Sequence, residues 1–141
     1  GVGGGGGGGE GVEVARPRRP VQIGTITGEV CRALSVESRE LAGKGRHKRV
    51  VLARSIVTYL ARRMTTLSFP EIARAIGRPN HSTVITAHNR ILKQLAAARD
   101  EGTREAAARA MEAEIGPVMA GLTLPEFCER IAKEAGRAGG G

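Results

Sequence analysis

Four consecutive side chains, Asn80-His81-Ser82-Thr83, place an amide, an imidazole and two hydroxyls directly after a Gly77-Arg78-Pro79 turn. Where a helix enters the major groove of a duplex by its N-terminal turn, a residue at its tip has its side chain at base-edge height. The free amides and positive dipole end of the helix favour phosphate. Each residue also has a plainer role: Asn80 as an N-cap, His81 as a surface histidine, Ser82 and Thr83 as ordinary first-turn residues. The surrounding charge bears on this choice. Between Leu41 and Arg99 lie twelve basic residues and one acid, Glu71, whereas the rest of the chain carries ten bases and thirteen acids. Such a local excess on a small domain is the footprint of a polyanionic partner, the alternative being a solvated basic face with no partner.

Other chemistries are poorly served. No Gly-x-x-x-x-Gly-Lys-Ser/Thr loop occurs; Gly43-Lys44-Gly45 lacks the spacing and the hydroxyl, so no nucleotide is expected. There is no Cys/His zinc pattern and no Ser/His/Asp constellation, so neither a metal, a cofactor nor an enzymatic activity is expected. Cys31 and Cys128, 97 positions apart, form no disulfide framework. Only Tyr59, Phe69 and Phe127 are aromatic, which argues against stacking on single strands. No apolar run reaches the length of a membrane span, and no membrane partner is expected. The expected location is cytoplasmic, associated with the nucleoid.

The elements that must position these residues read as helices throughout, giving an all-α expectation. With 141 residues the chain has room for one domain. Residues 1–20, Gly-rich and then Arg/Pro-rich, are expected to be a flexible arm, and 136–141 a flexible tail. Ile23, Ile26, Val30 and Leu34 share one helical stripe. A short helix at Ser38 to Ala42 ends at Gly43, and a basic loop follows. Val50, Ala53, Val57, Leu60 and Met64 define a helix from Arg49 to Met64, with Arg54, Thr58, Arg62 and Arg63 facing outward. Ser68-Phe69-Pro70-Glu71 carries the capping-box pattern and opens a short helix that Gly77 terminates. Val84, Ala87, Ile91 and Leu95 form the buried stripe of a longer helix to about Ala98, with Ser82, Thr86, Asn89 and Lys93 as its polar row. Two helical segments follow within 100–135, the second opened by Thr123-Leu124-Pro125-Glu126 and carrying the stripe Leu124, Phe127, Ile131 and Ala135.

A short helix, a Gly turn and a longer helix with a polar row form a helix-turn-helix pattern. Three stretches make it specific: Arg54-Ser55-Ile56-Val57-Thr58-Tyr59-Leu60, Leu67 to Gly77, and Asn80-His81-Ser82-Thr83-Val84-Ile85-Thr86-Ala87. Together they closely resemble the C-terminal DNA-binding domain of the bacterial chromosomal replication initiator, DnaA, over roughly residues 23–98. The resemblance implies base contacts in the major groove from Asn80, His81, Ser82 and Thr83, and a minor-groove contact from Arg54. It further implies phosphate contacts from the basic loop and its edge (Lys44, Arg46, Lys48, Arg49) and from Ser68 and Pro70 at the start of the first helix-turn-helix element. Arg78 and Asn89 are carried as backbone contacts as well. The chain departs from the family pattern at Asn80, where the family has an acid: a carboxylate accepts from cytosine N4, whereas an amide can pair with adenine N6 and N7.

The expectation is therefore a domain at 21–99 that binds double-stranded DNA sequence-specifically, free-standing and without the initiator's ATPase, acting on replication initiation or its regulation. Alternatives are a transcriptional regulator, an adaptor whose segment 103–135 recruits a protein partner, and a fragment of an ATP-dependent initiator. About six phosphate contacts would give a slope of roughly −5 in log affinity against log salt.

Overall fold

The computed structural model describes residues 21–43, 47–100 and 102–140. The arm at 1–20 and the loop residues Lys44 and Arg46, both expected to bear on binding, lie outside the described residues. Among the described residues seven α-helices follow in chain order: α1 (Ile23–Leu34), α2 (Ser38–Ala42), α3 (Lys48–Met64), α4 (Phe69–Ala75), α5 (Ser82–Arg99), α6 (Arg104–Ile115) and α7 (Leu124–Gly140). A single 3-10 turn, Pro117–Met119, joins the last two, and no strand occurs among the described residues. The all-α expectation holds.

The centre of the fold is α3, which packs against each of the other six helices. It buries more than a stripe: Leu52, Ala53, Ile56, Val57, Leu60 and Ala61 are almost wholly enclosed. Ser55 and Thr58 are buried as well, which corrects the outward placement of Thr58. Their hydroxyls donate to carbonyls one turn back, Ser55 to Val51 at 3.0 Å and Thr58 to Arg54 at 2.9 Å. A hydroxyl satisfied by its own helix enters the core without an unpaired polar group.

Local signals fix the helix starts. Ser68 Oγ accepts the Glu71 amide at 3.3 Å while Glu71 accepts the Ser68 amide at 2.8 Å, closing the capping box of α4. The same reciprocal pair forms between Thr123 and Glu126 at the start of α7. Thr103 caps α6 by accepting the Ala106 amide at 3.1 Å.

The C-terminal helices share the core of the preceding ones. Leu124, Phe127, Cys128, Ile131 and Ala135 of α7 are at most 3 % exposed and belong to the same cluster as Ile26, Val30 and Leu34 of α1. The Cys128 thiol is pushed up to about 12 by this burial. On the rim, Arg63 of α3 grips both oxygens of Glu129 of α7, at 2.6 and 3.1 Å. The apolar stripe that an adaptor would offer to a partner is used inside the molecule.

Candidate nucleic-acid interface

The site begins with the turn between α4 and α5. The amide of Gly77 donates to Arg74 O at 3.1 Å and that of Arg78 to Ala73 O at 2.8 Å, a Schellman closure of α4. Gly77 sits at φ +84°, and a Cβ there would stand 2.8 Å from the Cβ of Ala42. Glycine is thus required twice, for the left-handed backbone and for the close approach of α2.

Beyond the turn, α5 starts one residue later than an Asn80 cap implies. His81 occupies the cap position without a capping side chain, and Asn80, one residue earlier, supplies the cap: its Oδ1 accepts the Ser82 amide at 2.9 Å. The Asn80 carbonyl accepts the Thr83 amide and, at 2.9 Å, the Thr83 hydroxyl. Asn80, His81 and Ser82 are exposed, whereas Thr83 is half-buried. The three exposed residues therefore stand at the tip of α5 as the sequence pattern implies.

Two arginines behind the tip point inward. Arg78 donates through Nη1 to Gly43 O and Ala42 O, the latter at 3.2 Å, and through Nε to Thr83 Oγ1 at 3.4 Å. Arg54 converges on the same place, donating to Leu41 O at 3.0 Å, Gly43 O at 3.2 Å and Glu40 O at 3.4 Å. The last carbonyls of a helix have no partners within it and carry the negative dipole end, so two guanidiniums dock there. Burial and the charge of Arg78 both lower the Arg54 pKa, burial the more. The seam joins α2, α3 and the tip of α5, and it fixes Gly43. Arg54 reaches into this seam instead of facing out from α3.

The outer face of α5 is polar and basic. Thr86, Asn89, Arg90 and Lys93 are exposed and, with Gln94, line a shallow groove. Lys48, exposed at the start of α3, borders an adjoining crevice with Arg90, Gln94 and one acid, Glu114 of α6, so α3 and α5 contribute to one ridge on which bases outnumber acids. Arg49 leaves this ridge: its Nη2 lies 3.4 Å from Ile115 O, the last residue of α6, and its Nε is buried without a partner among the described residues. Ser68 and Pro70 stand at the start of α4, where the Ser68 hydroxyl accepts the Glu71 amide and keeps its proton to donate. Arg90 was not among the contacts expected from the sequence, where it is one base among twelve; its membership of the ridge depends on how α5 packs on α3. His88, also on α5, has a packing role, with its ring edge-on to Phe69 at 5.2 Å and its pKa lowered by burial and then by Arg62. Among the described residues there is no cluster that could hold a metal, and no helix is long and apolar enough to cross a membrane.

A short capped helix, a Schellman turn through a left-handed glycine and a longer helix with an exposed polar tip define a helix-turn-helix domain. Residues 23–91, just under half of the chain, match the family model described as the bacterial DnaA protein helix-turn-helix, so this part of the chain is similar to the DnaA C-terminal domain. The chain is 40 % identical over 75 residues to the chromosomal replication initiator protein DnaA of Lactiplantibacillus plantarum, covering 53 % of this chain and 16 % of that protein. It is also 40 % identical over 77 residues to the DnaA of Chlorobaculum tepidum (55 % and 16 %) and over 76 residues to that of Streptococcus thermophilus (54 % and 17 %). The chain thus spans about one sixth of the length of these relatives.

Proposed function

We propose that this chain binds double-stranded DNA sequence-specifically, with the tip at Asn80-His81-Ser82 in the major groove and the basic ridge on phosphate, and that it acts in replication initiation or its control. The observation that carries this reading is the exposed polar tip beside the ridge of Lys48, Arg90 and Lys93, within a DnaA-type helix-turn-helix. Base edges require donors and acceptors at a protruding helix end, and phosphate requires cations flanking it; both are present on one side of α5. The protein on this reading is non-enzymatic, needs no cofactor, and resides in the cytoplasm on the nucleoid. Lys44, Arg46, Ser68, Pro70 and Asn89 would add backbone contacts, with Arg54 entering the minor groove by leaving its carbonyl partners. The segments 21–99 and 100–135 then act as one unit in binding, since they share a core.

Selection of bound duplexes from a random pool, at stated salt, tests this. A short asymmetric consensus is expected; recovery of random sequence would refute the reading.

A further inference from the structure

Resting on the DNA-recognition reading above, we propose that Asn80 reads its base as a hydrogen-bond donor and therefore selects guanine, while the Thr83 hydroxyl reads nothing. The Ser82 amide, the first of α5, has no acceptor within its own helix. Asn80 Oδ1 supplies it at 2.9 Å. An amide NH2 cannot accept, so this bond decides which end of the Asn80 side chain faces the helix. The oxygen is turned to the backbone and Nδ2 to solvent, in an exposed residue at the leading point of the tip.

The consequence is chemical. Pairing with adenine uses an asparagine as donor to N7 and acceptor from N6 at once, which calls for both ends of the amide to face the base, whereas here the oxygen is turned toward the Ser82 amide. Guanine presents two acceptors, O6 and N7, and satisfies an outward NH2 alone. Cytosine presents its N4 hydrogens and sets donor against donor. The order of preference at this base is guanine, then adenine or thymine with one acceptor each, then cytosine.

Thr83 is half-buried and the proton of its hydroxyl is already spent. Its hydroxyl donates to Asn80 O at 2.9 Å and accepts from Arg78 Nε at 3.4 Å, so it ties the tip to the α2 seam. Polar reading at the tip falls to Asn80, His81 and Ser82.

Asn80→Asp is a clean test, because the carboxylate keeps an oxygen for the Ser82 amide and replaces the outward donor by an acceptor. The intact chain and this variant are carried through duplex selection, and every position of the selected site is then permuted and its affinity measured. The expected result is one position at which the intact chain prefers guanine and the variant inverts the pair to favour cytosine. The swing is on the order of tenfold or more, with the other positions and the helical circular dichroism unchanged. Identical preferences for the two proteins, or an Asn80-dependent position that favours adenine or cytosine in the intact chain, would overturn the inference while leaving specific binding intact. Absence of any sequence preference in the intact chain would overturn both it and the reading beneath it.

Discussion

The tip of α5 and the seam behind it lie side by side and use their polar side chains in opposite ways. At the tip, Asn80, His81 and Ser82 are exposed. In the seam, Arg54 and Arg78 spend their guanidiniums on the carbonyls of residues 40–43, and Gly77 lies against Ala42. A tip residue free of internal duties can be changed at little cost to the fold, whereas a seam residue holds the tip in place. The contrast teaches that net charge locates a binding region but does not say which of its cations meet the ligand.

Substitutions can break or sharpen this contrast. The largest effect is expected for Gly77→Ala, which places a side chain at φ +84° and 2.8 Å from the Ala42 Cβ. Left-handed strain and overpacking together should cost about 2–4 kcal/mol in urea unfolding. Arg78→Ala should cost about 1–3 kcal/mol by the same measurement, since it strips partners from two carbonyls and from Thr83. A stability equal to that of the intact chain would show the seam to be slack. His81→Ala should behave in the opposite manner. It should leave unfolding within about 0.5 kcal/mol but lower affinity for the selected duplex by about 1–3 kcal/mol and relax its specificity.

Smaller differences separate Lys48 from Arg49. Lys48→Ala should weaken all duplexes alike and reduce the salt slope by about one, as loss of a phosphate contact does. Arg49→Ala should leave the slope unchanged and loosen the junction of α3 with α6, read as faster amide exchange near Ile115. The least effect is that of pH. Burial holds His88 below the ordinary histidine value, so the unfolded chain takes up its proton first as pH falls. Stability from this group is complete above about pH 6.5 and is lost as pH drops through the lowered folded value. Thermal melts between pH 5 and 7.5 should show that decline, and His88→Phe should flatten it.

The sequence made some of this plain. The capping boxes Ser68/Glu71 and Thr123/Glu126, the stripe Val84, Ala87, Ile91 and Leu95, and the glycine at the turn are set by neighbours within a few residues, and the fold retains them. Features that depend on distant partners were hidden. Arg54 and Arg78 turn inward because the end of α2 lies beside them, 11 to 14 residues and 35 to 36 residues away respectively. Thr58 looks polar in a helical pattern, yet its bond to Arg54 O lets it enter the core. The stripe on α7 was visible as apolar, but nothing local told whether α1 or a partner would cover it; the shared cluster answers in favour of α1.

The most direct test is to follow the backbone amides by nuclear magnetic resonance while the intact chain is titrated with its selected duplex and with a scrambled one. The account predicts that the selected duplex produces its largest shifts at Asn80, His81 and Ser82, with smaller ones along Asn89 to Lys93. The scrambled duplex should perturb the basic ridge and leave the tip nearly unmoved. Equal responses to both duplexes, or shifts centred on α7 with the tip silent, would contradict it.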